Sequence, residues 1–353
     1  MSSFHSLSIK SITKETEKAV SISFNIPENL KDTFNFSAGQ YITLKTKIDG
    51  IEVRRDYSLC VAPSSGELKV AVKEIKDGTF SVYANNKLKV GDTLEVAPPK
   101  GRFIFLPNDK KVKHIAAFAA GSGITPILSI IKCALKEETY SKVVLVYGNK
   151  SAKDTMFLDE LLELQSRFKE RFSIQFVYSQ TDENDAIFGR IEKSTINYVI
   201  KNKHKDTQID AFYICGPEAM IHTVKDVLIE NGISDDCINF ELFKAATPAE
   251  IPNKSVSVPS GTTKITVIVD DEETTFDMSQ KQTILEAALD EDLDAPYSCQ
   301  GGICSSCLAK IKDGKATMRL NSILTESEIA EGLILTCQAL PITPSIVVDY
   351  DDV

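Results

Sequence analysis

The sequence predicts a multidomain chain: an antiparallel all-β region, then a doubly wound parallel α/β sheet, then a small α+β module. Three observations predict it. Apolar residues recur with period two from Phe4 to about Leu106, buried-strand runs alternate with amphipathic helical stretches after Pro107, and four cysteines crowd into the last 55 residues. The 353 residues are enough for two or three separate cores at roughly 150 residues each.

Element by element, Val20–Ile26 alternates cleanly, and Tyr41–Ile48 runs into Asp49-Gly50 before the chain returns as Ile51–Val53. That pairing predicts a two-residue hairpin. Leu68–Ile75 and Thr93–Ala97 continue the series, and short strands with regular turns indicate a barrel or a sandwich. Beyond Pro107, apolar runs at 115–120, 143–147, 174–178 and 211–214 read as strands of a parallel sheet, with helices near 126–138, 155–169, 190–203 and 217–231. Thr247–Thr263 is aperiodic and rich in Pro, Ser and Thr, so it reads as a linker. Ile265–Phe276 then reads as a hairpin, and a short helix near 283–290 leads into the cysteine-bearing loop. The expected divisions are therefore 1–108, 109–246, a linker at 247–263, and 264–353.

Fifty Asp+Glu against 40 Lys+Arg give a formal net charge of −10, which argues against nucleic acid or an anionic membrane as the main partner. The charge is unevenly spread. Residues 264–353 hold 6 basic and 17 acidic side chains, a net of −11, while the preceding 263 residues are nearly neutral at +1. No stretch reaches the roughly 18 apolar residues of a membrane helix, and Met1–His5 lacks the basic and apolar regions of a signal peptide. A cytoplasmic protein is expected. Its eight cysteines then need a role other than disulfides.

Cys299, Cys304 and Cys307 follow the spacing C-x4-C-x2-C, with Cys337 further on. This is the plant-type [2Fe–2S] pattern, in which two irons take three thiolates from one tight loop and a fourth from elsewhere. Gly301 and Gly302 suit such a loop because they accept unusual dihedrals. A zinc site is normally built from two short Cys pairs, and the x4 gap with a lone fourth cysteine fits it poorly.

Four other segments carry chemistry. In Arg55-Asp-Tyr57-Ser58, a guanidinium can fork onto a pyrophosphate, a phenol can stack on a flavin ring and a hydroxyl can reach its reactive nitrogen. Taken alone, the string also suits an ordinary strand with a solvated arginine. Gly78-Thr-Phe-Ser81 opens a short helix, where free N–H groups face a phosphate or a serine simply caps. Gly121-Ser-Gly123-Ile-Thr125-Pro126 joins a strand to a helix without the strict G-x-G-x-x-G fingerprint, yet with the small residues a phosphate requires. Cys215-Gly216-Pro217 ends another strand at the carboxyl edge, where open sheets bind ligands.

Together these segments resemble the ferredoxin–NADP reductase superfamily over the whole chain, and within it the reductases of phenylacetyl-CoA epoxidases and their relatives. The resemblance implies an antiparallel FAD barrel, an α/β NAD(P) domain and a β-grasp α+β ferredoxin, in that order. It implies that Arg55, Tyr57, Ser58, Gly78 and Ser81 serve FAD, and that Gly121, Gly123, Thr125, Pro126, Cys215, Gly216 and Pro217 serve the nicotinamide coenzyme. Ser58 and Cys215 become the expected assistants of hydride transfer, Phe243 an aromatic cover for the flavin, and Cys299, Cys304, Cys307 and Cys337 the iron ligands. Lys150 and Lys153, in a Gly148–Lys153 hexapeptide without an acidic residue, point to a 2′-phosphate and so to NADPH, with NADH left open. The implied activity is an oxidoreductase passing electrons from NAD(P)H through FAD and [2Fe–2S] to an oxygenase that docks the acidic ferredoxin. The oxygenase is the di-iron component of the epoxidase or, alternatively, a Rieske ring- or steroid-hydroxylating enzyme. A zinc-stabilised binding or sensor protein on a reductase scaffold is the rival from another class.

Overall fold

The computed structural model describes residues 4–108, 113–243 and 261–353. They form two compact units, one built from His5–Val53 and Tyr57–Phe243, the other centred on residues 261–353.

The first unit begins with six antiparallel strands: β1 His5–Thr16, β2 Ala19–Phe24, β3 Tyr41–Ile48, β4 Ile51–Ser58, β5 Leu68–Lys73 and β6 Thr93–Val96. Their order is β4-β3-β6-β1-β2-β5, and a bridge from Leu59 to Val70 carries the end of β4 onto β5. The sheet thus closes on itself, which decides for a barrel. Alternation turns Leu7, Ile22, Ile42, Leu44 and Val72 inward, and helix α1, Thr79–Asn86, adds Phe80 and Ala84 to the same core. Asp49 (φ 51°) and Gly50 (φ 83°) are both left-handed, as the expected hairpin turn requires. The return strand is longer than its apolar start suggests, because β4 continues through Arg55–Ser58 instead of ending at Val53.

The same unit continues into strands β7 His114–Ala120, β8 Lys142–Asn149, β9 Phe172–Tyr178, β10 Ala186–Phe188, β11 Ala211–Gly216 and β12 Ile238–Leu242. Helices α2 Ile124–Glu137, α3 Leu158–Arg167, α4 Lys193–Asn197 and α5 Glu218–Glu230 alternate with them, and a π-helical turn, Tyr198–Lys203, extends α4. The sheet is parallel in the order β10-β9-β8-β7-β11-β12. Winding reverses between β7 and β11, which makes that crevice the topological switch point.

Barrel and parallel sheet are pinned together by buried polar bonds. Ser129 of α2 donates to the Val61 carbonyl at 2.7 Å, and Lys132 donates to that of Cys60 at 2.9 Å. Tyr213 of β11 lies edge-on to Phe103 at 5.5 Å. Within the barrel, a Cβ on Gly39 would stand 2.0 Å from the Phe103 carbonyl oxygen, so these two segments pack backbone to backbone beneath α2.

The second unit holds β13 Thr262–Val269, β14 Glu272–Ser279, α6 Ile284–Asp290, β15 Leu308–Asp313, β16 Ala316–Met318, α7 Glu326–Ala330, β17 Leu333–Leu335, β18 Ala339–Pro341 and β19 Ser345–Asp349. Five strands form a sheet in the order β14-β13-β19-β15-β17, with β13 and β19 parallel at its centre. Ile284, Leu285 and Ala288 of α6 pack onto Ile265, Val267 and Val348 of that sheet. This is the β-grasp arrangement. Its first strand starts at Thr262, inside the segment read as a linker; residues 247–260 of that segment lie outside the described residues.

Candidate redox site

The cysteine loop lies between α6 and β15, where Gln300 (φ 52°) and Gly302 (φ 71°) curl the backbone. A Cβ on Gly302 would meet the Leu320 carbonyl oxygen at 2.8 Å, so that position takes no side chain without a shift. The four sulfurs gather as two pairs. Cys304 donates its thiol proton to Cys299 at 3.0 Å, and Cys307 is hydrogen-bonded to Cys337. Thr336, next to Cys337, fixes the second pair by donating its amide (3.1 Å) and hydroxyl (2.9 Å) to the Cys307 carbonyl.

The first pair is built to hold negative charge. The Cys304 thiol, with amides of Gly301, Ile303 and Cys304, outweighs burial and draws the Cys299 thiol down to about 6. The Gly301 amide stands 3.3 Å from that sulfur. Cys304 and Cys307 are pushed up, each first by its thiol partner and then by burial. Among the described residues no three His, Cys, Asp or Glu side chains converge on one metal position. Two cysteine pairs, one for each iron, fit a binuclear cluster where zinc requires four sulfurs round a single centre.

Arg55, Tyr57 and Ser58 close β4. Tyr57 is half-buried and tilted over Phe80, ring centroids 5.4 Å apart. Arg55 is exposed and donates to the Arg54 carbonyl at 2.7 Å. Gly78 caps α1 without a side chain, and a Cβ there would stand 2.4 Å from the Ser81 hydroxyl oxygen. That oxygen accepts the Ile75 amide at 3.1 Å, so Ser81 shapes the loop before the helix as well as facing its first turn. An arginine, an aromatic face and a helix start with no side-chain cap form a donor set that fits a flavin dinucleotide.

Gly121–Gly123 forms a tight turn at the end of β7 and leads into α2, with Gly121 at φ +55°. A Cβ on Gly123 would stand 2.1 Å from the Cys215 carbonyl oxygen, and one on Gly216 would stand 2.7 Å from Met220 Cε. The two glycine motifs therefore meet backbone to backbone at the switch point. Thr125 donates to the Ser122 carbonyl at 3.0 Å and is buried with Pro126 in the first turn of α2, while Pro217 caps α5. Cys215 is fully buried, and burial, then the nearby Glu241 carboxylate, pushes its thiol well up. Phe243 follows β12 directly and is 37% exposed.

Three contributors are invisible as motifs. Glu241 is paired in register with Cys215, and its Oε2 accepts the Ser58 hydroxyl at 3.3 Å, so Ser58, Glu241 and Cys215 meet. Its only sequence signal is an acidic residue between phenylalanines at a strand end. Lys73, at the end of β5, places Nζ 3.5 Å from where a Gly121 Cβ would stand, and burial lowers its pKa. Tyr147 is wholly buried and donates to the Gly121 carbonyl at 2.9 Å, which holds the turn from beneath.

Known proteins resemble the chain domain by domain and over its length. The oxidoreductase FAD-binding domain family matches residues 6–105, the oxidoreductase NAD-binding domain family 118–226, and the 2Fe-2S iron-sulfur cluster binding domain family 267–341. The chain is 38% identical over 353 residues to one of the subunits of 1,2-phenylacetyl-CoA epoxidase from Escherichia coli (strain K12), covering 99% of each chain. It is 31% identical over 361 residues to the ferredoxin reductase component of 3-ketosteroid-9-alpha-monooxygenase from Rhodococcus rhodochrous, covering 98% of this chain and 96% of the other. Among solved structures, phthalate dioxygenase reductase superposes with a TM-score of 0.60 at 25% identity, covering 98% of each. No helix among the described residues is long and apolar enough to cross a membrane. The chain belongs to the ferredoxin–NADP reductase superfamily, as an NAD(P)H-dependent oxidoreductase that passes electrons through FAD to a plant-type [2Fe–2S] cluster.

Proposed function

We propose that the cluster delivers its electrons to a separate oxygenase protein, the di-iron component of an epoxidase acting on phenylacetyl-CoA in phenylacetate breakdown. The observation that carries this reading is the 38% identity to the Escherichia coli epoxidase component across 99% of both chains. The steroid monooxygenase reductase, at 31%, supports a Rieske oxygenase as the second reading. When bound, the cofactors supply the redox chemistry: hydride passes from nicotinamide to flavin, and single electrons pass on through the cluster.

The protein's part is placement and insulation. Arg55 and the α1 start at Gly78 and Ser81 hold the flavin pyrophosphate, and Tyr57 lies against the ring. Gly121, Gly123, Thr125 and Pro126 shape the α2 start for the coenzyme pyrophosphate. Cys215, Gly216 and Pro217 border the nicotinamide, and Phe243 covers the flavin. The Ser58 hydroxyl donates to Glu241, so a proton at that oxygen has a carboxylate waiting 3.3 Å away. Cys299, Cys304, Cys307 and Cys337 take the irons. The domains run 1–108 and 109–246, a linker follows from 247, and the third domain opens with β13 at Thr262 and runs to 353; none of the eight cysteines forms a disulfide, which suits the reducing cytoplasm. The acidic third domain is the face the oxygenase meets.

The test is reconstitution with each acceptor. With NAD(P)H, the purified protein should support epoxide formation by the di-iron oxygenase and leave a Rieske oxygenase nearly idle. Efficient turnover of the Rieske enzyme alone would transfer the assignment to the second reading.

A further inference from the structure

Strand β19 turns Ile346 and Val348 into the core of the third domain, and the next residue in that alternation is Tyr350, only 5% exposed. Its hydroxyl oxygen is buried and, among the described residues, has no hydrogen-bond partner. A buried phenol normally finds one, because an unpaired polar group in a core is costly. A phenylalanine would fill the same space without that cost.

The tyrosine is held in place from both sides. Its amide donates to the Ile268 carbonyl at 2.9 Å. The next residue, Asp351, accepts the amides of Asp270 at 3.1 Å and Asp271 at 2.8 Å, and its own amide donates to Asp349 Oδ1 at 2.8 Å. With the backbone tied down, close packing leaves the ring little freedom.

The phenol lies by the second cysteine pair. Tyr350 shares a core with Cys307 and Cys337, and both sulfurs are near enough for their charge to act on it. Register explains the meeting. Lys310 of β15 pairs with Asp349, so the start of β15, which Cys307 precedes, lies along the residues that follow β19. On its other side β15 pairs Leu308 with Leu335, just before Thr336 and Cys337. The Thr336 hydroxyl is also near the phenol, but it donates to the Cys307 carbonyl at 2.9 Å and makes no hydrogen bond with Tyr350. Burial pushes the pKa of the phenol well up, so it keeps its proton through the neutral range. Cysteines that hold iron have lost their protons and can only accept. The unpaired donor and these acceptors therefore belong to one small region.

We propose that the Tyr350 hydroxyl donates a hydrogen bond to a ligand sulfur of the Cys307–Cys337 pair and thereby raises the reduction potential of the cluster. Reduction adds one electron and no proton, and the phenol keeps its O–H throughout. A donor at sulfur is worth more once the added negative charge is present, so it favours the reduced state. Tyr350 is in this sense a tuning residue for the step from flavin to cluster. The inference rests on the reading of the four cysteines as iron ligands.

The experiment is a dye-mediated redox titration of the full-length holoprotein, followed at the iron–sulfur and flavin bands. Tyr350→Phe keeps the ring and removes only the hydroxyl. It should weaken electron uptake by the cluster about tenfold, equivalent to about 59 mV for one electron, and leave the flavin potential unchanged. Replacing Tyr350 by 3-fluorotyrosine keeps ring and donor but makes the phenol more acidic, so the cluster potential should rise. That replacement decides the matter even if Tyr350→Phe takes up iron poorly. The Tyr350→Phe shift should also persist in a Thr336→Val background, which removes the other hydroxyl near the phenol. The proposal is overturned if Tyr350→Phe with a full cluster leaves the potential unmoved, if 3-fluorotyrosine fails to raise it, or if the shift vanishes without the Thr336 hydroxyl. A wild-type protein holding zinc, with no iron–sulfur absorbance, would overturn the ligand reading itself, a result distinct from an unmoved potential.

Discussion

Ser58 and Glu241 lie 183 positions apart and share one hydrogen bond, beside a cysteine that never reaches solvent. Because the hydroxyl and carboxylate act on one proton, removing either should cost what removing both costs. Ser58→Ala and Glu241→Ala should each slow flavin reduction by saturating coenzyme about 10²-fold, with the double variant no slower than the worse single one. Stopped-flow absorbance at the flavin band checks this, and additive losses would show that the two act independently. Arg55, Tyr57 and Ser58 were legible because they stand together in one strand. Glu241 was not, because its partners come from elements far away in the chain. Gly123 was legible as a small residue, but its reason is tertiary: a Cβ there meets the Cys215 carbonyl oxygen at 2.1 Å. Gly123→Ala should destabilise the fold by about 1–3 kcal/mol, as overpacking does. It should also weaken coenzyme binding while flavin content stays whole, as titration and absorbance would show.

Elements whose local chemistry agrees with their surroundings could be read directly. Asp49-Gly50 announced its hairpin, and the 3.6-residue pattern placed α2 and α5 within two residues or so of their observed ends. Elements defined by neighbours could not. Three-residue β10 is too short to show a period, and β12, half polar, is a strand only because β11 offers it an edge. Helix α6 shows what local chemistry alone achieves. Thr283 accepts the Glu286 amide at 3.2 Å while Glu286 accepts the Thr283 amide at 3.0 Å, a complete capping box in the domain that carries the cluster. Thr283→Ala should therefore cost about 1 kcal/mol. Thermal loss of the iron–sulfur absorbance should shift to lower temperature while release of flavin fluorescence keeps its midpoint. A joint shift of both would mean that the units melt as one.

At the scale of the whole molecule, protons and salt probe different parts of the design. Burial raises the Cys60 thiol from 9.0 to about 12. Below pH 9 it is protonated folded or unfolded, and its share of stability is complete. Between about pH 9 and 12 the unfolded chain sheds this proton and the folded chain keeps it, so stability must fall as pH rises. Cys60→Ala should be less stable at neutral pH yet decline less steeply above pH 9 in denaturant titrations, and parallel curves would contradict the assignment. Salt acts on the docking face. A net charge of −11 on residues 264–353, against +1 on the rest, concentrates the field where the oxygenase is proposed to bind. The Debye length shrinks from about 10 Å at 0.1 M to about 3 Å at 1 M, so steering of a basic acceptor should fade across that range. Flavin reduction at saturating coenzyme, an internal event, should hold steady over the same series. The expected signature is an electron-delivery rate to the oxygenase that drops with ionic strength beside an unchanged reduction rate. A delivery rate indifferent to salt would leave the acidic charge as a matter of solubility and move the docking face elsewhere.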